Sequence, residues 1–63
     1  MIPTNAEILD FLRERYGSLA AMQEAISFRR FQAGWRGPEG GYFGAAQALY
    51  DEQKQKQARG EPA

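Results

Sequence analysis

The apolar residues of this chain recur at three- and four-residue spacing in four segments, which are separated by glycine, serine or a glycine-rich stretch. That spacing places apolar side chains on one face of an α-helix. It predicts helices over residues 5–16, 19–26, 28–36 and 42–54. No segment alternates apolar and polar residues in the manner of a β-strand. The predicted fold class is therefore all-α, a small four-helix domain.

Residues that commonly cap helices mark most of the predicted boundaries. The stretch from Thr4 to Glu7 has the Ser/Thr-x-x-Glu pattern of a capping box. Gly17 is suited to the left-handed conformation that ends many helices, and Ser18 and Ser27 are candidate caps for the second and third helices. Because almost no linker separates residues 26 and 28, these two helices are predicted to cross steeply.

The large apolar side chains of the four segments are expected to form one core. Its predicted members are Ile8, Leu12, Tyr16, Leu19, Met22, Ile26, Phe28, Phe31, Trp35, Phe43, Ala46, Leu49 and Tyr50. Residues 1–54 are accordingly predicted to be one domain. Residues 55–63 have almost no apolar side chain to bury and are predicted to be a flexible tail.

Composition narrows the classes of protein to which the chain can belong. Cysteine is absent from the 63 residues, which excludes disulfides and fits a reducing, cytoplasmic location. The apolar runs are far shorter than the roughly 20 residues that span a bilayer, and the N-terminal sequence lacks the features of a signal peptide. A cytoplasmic protein without a membrane span is therefore expected.

Histidine is absent as well, so the commonest general base and the commonest thiol nucleophile are both missing. Glu7, Asp10 and Glu14 share one side of the first predicted helix, where a solvated face is favoured over a divalent metal site. The glycine-rich stretch 37–41 lacks the Gly-Lys-Ser/Thr ending of a phosphate-binding loop and is predicted to be a turn. No enzyme activity, cofactor or metal is expected.

The charge is unevenly distributed although the net charge is zero. Residues 27–37 contain three arginines and no acidic residue, whereas the rest of the chain is net acidic. If residues 28–36 form a helix, Phe28, Phe31 and Trp35 make a buried stripe and the arginines lie on an outer surface. Gly34 leaves a second possibility open, in which the helix ends there and Trp35 lies in a turn.

The segment 17–27, GSLAAMQEAIS, is followed by arginine-rich sequence, a tryptophan and a Gly-Pro turn. In this order the chain resembles the helix-turn-helix of small Cro-like phage regulators over about residues 5–52. It is also similar to the small DNA-recognition domain of phage packaging terminases. The resemblance implies that residues 28–36 form a recognition helix in the major groove. It implies contacts to duplex DNA from Ser27, Arg29, Arg30, Gln32 and Ala33, and the basic outer surface of the same segment adds Arg36 to the predicted site.

The leading functional prediction is a sequence-specific, DNA-binding transcriptional regulator. It would act as a homodimer, because one recognition helix reads only a few base pairs. The alternative is a small inhibitor or adaptor that docks the same basic and aromatic helix on a protein partner. The near-neutral charge and the isoelectric point of about 6.2 favour that alternative. The sequence leaves the choice between DNA and protein open.

Overall fold

The computed structural model of the protein describes residues 2–60, which contain helices joined by turns and short irregular segments, without any β-strand. Helix α1 spans Asn5–Tyr16, α2 spans Leu19–Gln32 and α3 spans Tyr42–Ala58. A single 3₁₀ turn, Pro38–Gly40, lies in the connection between α2 and α3. The all-α class is therefore confirmed, whereas the predicted count of four α-helices is wrong.

Helix α1 has the boundaries that its local sequence predicts. The Thr4 hydroxyl accepts a hydrogen bond from the Glu7 amide at 3.2 Å, and the Glu7 carboxylate accepts one from the Thr4 amide at 3.4 Å. This reciprocal pair is the capping box. At the other end Gly17 adopts a left-handed conformation, with φ of 91°. Both ends are determined by residues within one helical turn.

Helix α2 is continuous where the sequence predicted two helices. Ser18 caps its start by accepting a hydrogen bond from the Ala21 amide at 3.1 Å. Ser27, which was predicted to cap a third helix, lies in the middle of α2. No proline or glycine interrupts residues 19–32, so nothing in the backbone forces a break there. The predicted steep crossing after residue 26 is therefore wrong.

Helix α2 ends at Gln32. It is followed by a turn in which Gly34 adopts a left-handed conformation. The Gly34 amide donates to the Phe31 carbonyl at 2.9 Å, and the Trp35 amide donates to the Arg30 carbonyl at 3.1 Å. These two bonds define a Schellman motif, for which glycine is favoured because φ at position 34 is 67°. The possibility that the helix ends at Gly34 and leaves Trp35 in a turn is confirmed, and a helix over 28–36 is wrong.

The core lies where the three helices meet and is small. Its buried apolar members are Ile8, Leu12, Met22, Ile26, Ala45, Ala46 and Leu49. Tyr16 and Tyr50 are half-buried against this cluster. Five residues that were predicted to belong to the core are exposed instead, namely Leu19, Phe28, Phe31, Trp35 and Phe43.

The continuity of α2 explains why its aromatic residues are exposed. Met22 and Ile26 are four residues apart and direct one face of α2 into the core. A straight helix presents only one such face to the core. Because successive residues are rotated by about 100° around the helix axis, Phe28 and Phe31 lie on the side opposite Met22 and Ile26. A break at Ser27 would have allowed the second half to rotate inwards. Without that break the predicted aromatic stripe faces solvent.

Helix α3 extends beyond its predicted end at residue 54 and reaches Ala58. The glutamines and lysines of this last part are good helix formers, and Lys56 lies 3.8 Å from Glu52 one turn earlier. Gln53 is buried and accepts a hydrogen bond from Arg15 of α1 at 3.0 Å. The predicted boundary between residues 54 and 55 thus falls inside a helix. Residues 61–63 of the predicted tail lie outside the described residues.

Candidate interaction surface

Arg29 was predicted to point outwards, but its side chain joins α2 to the following elements. Its Nε atom donates to Glu39 at 2.6 Å and its Nη1 atom to Glu52 at 2.9 Å. Glu39 lies in the 3₁₀ turn and Glu52 in α3. The hydrogen bonds to Glu39 and then Glu52 raise the pKa of Arg29 above its ordinary value. Two carboxylates therefore balance the charge of Arg29 within the protein.

Arg30 also holds the connection between α2 and α3. Its Nε atom donates to the Gly40 carbonyl at 2.9 Å, and its guanidinium lies over the Trp35 ring, 5.0 Å from the ring centre. In a Schellman motif the residue after the glycine commonly packs against the third residue from the helix end. Here Trp35 and Arg30 occupy those positions. The pair therefore closes the end of α2 by a cation–π contact.

The six residues predicted to contact DNA divide into two groups. Exposed on the surface are Ser27, Gln32 and Arg36, and half-buried are Arg29, Arg30 and Ala33. The Ala33 amide donates to the Arg29 carbonyl at 3.1 Å and completes the last turn of α2. The structure therefore places half of the predicted site on the side of α2 that packs against the rest of the protein.

The main feature of the outer side of α2 is a group of exposed aromatic rings. Phe28 is 61% exposed, Phe31 is 63% exposed and Trp35 is 55% exposed. Phe28 and Phe31 are three residues apart, so their Cβ atoms lie about 5–6 Å from each other on a helix. Trp35 follows in the turn beyond the end of α2, with its ring against Arg30. We call Phe28, Phe31 and Trp35 the outer aromatic surface.

Exposure of several large aromatic side chains is costly for a domain of this size. Isolated exposed apolar residues are normal on protein surfaces, but neighbouring ones commonly mark interaction sites. Sequence reasoning missed this surface because the aromatic spacing fits a buried stripe equally well. The available signal was a second stripe on α2, in which Met22 and Ile26 are continued by Ala33. One helix cannot bury both stripes in a core on a single side.

Two open clefts lie elsewhere on the molecule. One of about 300 Å³ is lined by Leu9, Asp10, Arg13, Leu19, Met22, Gln23 and Tyr42, at the junction of all three helices. Another of about 400 Å³ is lined by Phe11, Glu14, Arg15 and Gln57, between α1 and α3. Among residues 2–60 no cluster of three acidic side chains is placed to hold a metal ion.

Replacing Arg29 with alanine is expected to lower the free energy of unfolding by about 1 kcal/mol, because a half-exposed charge network contributes modestly. Arg36→Ala is the matched control, since Arg36 is exposed, and it should change stability by less than about 0.5 kcal/mol. Urea denaturation followed by circular dichroism measures both. Equal effects of the two substitutions would contradict the structural role of Arg29.

Comparisons with protein families, with curated proteins and with solved structures find no match to this chain. The resemblance to helix-turn-helix regulators therefore rests on the sequence motifs alone. None of the helices in residues 2–60 is both long enough and apolar enough to cross a membrane.

Proposed function

We propose that this protein is a small interaction module that docks on another protein chain through the outer aromatic surface of α2. The observation that carries the proposal is the exposure of Phe28 and Phe31 on adjacent positions of one helix face. Aromatic anchors at positions i and i+3 are typical of helices that bind an apolar surface on a partner. Large aromatic side chains also supply much of the binding energy in protein interfaces.

The scaffold presents this surface in a rigid form. Met22 and Ile26 anchor the inner face of α2 in the core, while Arg29 and Arg30 attach its C-terminal end to the 3₁₀ turn. Because the helix is held on its inner side and at its end, little backbone freedom is lost when a partner binds. Preorganisation of this kind increases affinity without additional contacts.

The charges favour protein over nucleic acid as the ligand. Binding to DNA depends on several cations that contact phosphates, and of the arginines at positions 29, 30 and 36 only Arg36 is exposed. The protein as a whole has no net positive charge. Duplex DNA remains the second candidate ligand, supported by the exposure of Ser27, Gln32 and Arg36 around the C-terminal half of α2.

Site-specific photo-crosslinking tests the docking proposal. A benzophenone amino acid placed at position 28 should form crosslinks to protein in cells that express this chain. The same group at Gln55, on an exposed position of α3, is the matched control and should give few or none. A second substitution, Phe31→Glu, should suppress the crosslinks from position 28, because it places a charge within the apolar contact.

The outcomes separate the two ligand classes. Equal crosslinking from positions 28 and 55, or none from position 28, would contradict docking through α2. Adducts to nucleic acid alone would favour the DNA alternative instead. In that case affinity for duplex DNA should weaken with Arg36→Ala but not with Phe31→Ala, which leaves the charge unchanged, and log affinity should fall with log salt by about 0.9 for each phosphate contact.

A further inference from the structure

We propose that the chain that docks on the outer aromatic surface is a second copy of this protein, with its α2 packed antiparallel to the first. This inference rests on the proposed function, since it names the occupant of the same surface. Two features of α2 support it, the spacing of its exposed aromatic residues and the positions of its outer charges, and the amount of exposed apolar surface sets the expected strength.

The exposed residues of α2 are complementary to themselves. In an interface with two-fold symmetry every contact occurs twice. If residue i of one copy contacts residue j of the other, residue j of the first copy also contacts residue i of the second. An antiparallel arrangement centred between Phe28 and Phe31 places Phe28 of each copy next to Phe31 of the other copy. Ser27 and Gln32 lie about 140° apart on the helix at about 100° per residue, so they flank the two rings at the edges of the contact, and all four residues are exposed. Aromatic rings thus meet aromatic rings, with polar side chains at the rim.

The outer charges select the antiparallel orientation. Glu24 is exposed and lies one turn before Phe28 on the same helix face. Arg36 is exposed just beyond the C-terminal end of α2. Antiparallel packing places Glu24 of each copy near the C-terminal end of the partner's α2. Arg36 follows that end, so the two opposite charges come close together. Parallel packing would place Glu24 beside Glu24 and Arg36 beside Arg36, which like-charge repulsion disfavours.

The size of the surface sets the expected strength of the dimer. An aromatic side chain has roughly 200 Å² of surface, so Phe28 and Phe31 at their observed exposure offer roughly 250 Å² per copy. Stable, specific interfaces bury about 1,200–2,000 Å² in total. The two copies together therefore offer roughly 500 Å² of aromatic surface, which is well below this range. We therefore expect a weak dimer with a dissociation constant on the order of 10–100 µM.

Sedimentation equilibrium of the purified protein tests this inference. Between about 5 µM and 1 mM, a range that brackets the expected constant, the mass should rise from 7.1 kDa towards twice that value. Phe31→Glu should weaken the association at least about tenfold. Gln55→Glu, which adds the same charge on the exposed face of α3, is the matched control and should leave the association unchanged.

Exchange of the two charges provides a test that loss of fold cannot imitate. Glu24→Arg alone and Arg36→Glu alone should each weaken self-association several-fold at low salt, because each places like charges together. The double variant Glu24→Arg/Arg36→Glu should restore it, and an equimolar mixture of the two single variants should form mixed dimers. Absence of both restoration and mixed dimers would overturn the antiparallel pairing.

Failure of this inference differs from failure of the proposed function. A protein that stays monomeric up to 1 mM, a concentration far above the expected constant, would overturn pairing with a second copy. If position 28 then still crosslinks to a different protein, and Phe31→Glu suppresses that product, docking through the outer aromatic surface stands. A monomeric protein without any crosslink from position 28 would overturn both.

Discussion

Leu12→Ala is expected to unfold most of the protein at 25 °C, whereas Trp35→Ala is expected to leave it folded. Leu12 of α1 is completely buried at the junction of the three helices. Loss of a buried leucine side chain costs about 2–5 kcal/mol, because a cavity replaces favourable contacts. A single core in a domain below 70–80 residues rarely supplies more than about 3–5 kcal/mol in total. The substitution therefore removes most of the available stability.

The expected effect at Trp35 is much smaller although tryptophan is the larger side chain. Its side chain is more than half exposed, and its ring packs against the Arg30 guanidinium. An exposed cation–π contact contributes about 0.5–1 kcal/mol. If Trp35 belonged to the buried aromatic stripe that the sequence predicted, Trp35→Ala would instead lower the free energy of unfolding by about 3–5 kcal/mol. Urea denaturation followed by circular dichroism distinguishes these values.

Leu19→Ala supplies the matched control for the Leu12 substitution. It makes the same chemical change at a leucine that is 52% exposed in the first turn of α2. Because alanine is the better helix former and little burial is lost, we expect a cost below about 1 kcal/mol. Similar destabilisation by Leu12→Ala, Leu19→Ala and Trp35→Ala would contradict the assignment of the core.

The parts of the fold that could be predicted from sequence are those determined by near neighbours. The start of α1 depends on Thr4 and Glu7, which are three residues apart, and its end depends on Gly17. These bonds form within one turn, so the local pattern contains the information needed. The Schellman end of α2 is equally local, and Gly34 is its sequence signal.

The side of α2 that faces the core could not be predicted in the same way. It depends on packing between helices, which places Met22 and Ile26 inside and leaves Phe28 outside. The partners of Arg29 are also distant, since Glu39 and Glu52 follow it by 10 and 23 residues. The sequence prediction for this segment was therefore wrong in its orientation, since it placed the aromatic rings inside and all the arginines outside.

This inversion changes which ligand the segment suits. The predicted DNA-binding surface required Arg29 and Arg30 to be free, whereas both arginines hold the end of α2 to the 3₁₀ turn. The same contacts keep α2 rigid and so present Phe28 and Phe31 to a partner. In this way the intramolecular role of the arginines supports the docking proposal rather than competing with it.

Gly44→Ala is expected to destabilise the protein by about 2–3 kcal/mol, the usual cost of overpacking. Alanine in place of glycine inside a helix normally stabilises by about 1 kcal/mol, so the expected sign is reversed. Gly44 lies in the first turn of α3, and a Cβ atom there would be 1.5 Å from the Pro38 carbonyl oxygen. Because that oxygen belongs to the backbone, no side-chain rotation can relieve the clash. The 3₁₀ turn must move away from α3.

Displacement of the 3₁₀ turn should be detected at the end of α2 as well. The turn contains Glu39 and Gly40, which hold Arg29 and Arg30, and Arg30 in turn lies over the Trp35 ring. We therefore expect Gly44→Ala to change the fluorescence emission of Trp35 in the folded protein, in addition to lowering the urea midpoint.

Gly60→Ala is the control for Gly44→Ala, because nothing lies within 4 Å of a Cβ atom at Gly60. Because φ of Gly60 is positive, Gly60→Ala should cost at most about 1–2 kcal/mol of backbone strain. It should leave the fluorescence emission of Trp35 unchanged. A Gly44→Ala variant with raised stability and unchanged Trp35 emission would mean that the 3₁₀ turn does not pack on α3. The bonds from Arg29 and Arg30 to the turn would then no longer attach α2 to α3, and the preorganisation argument for docking would depend on the bond between Arg29 and Glu52 alone.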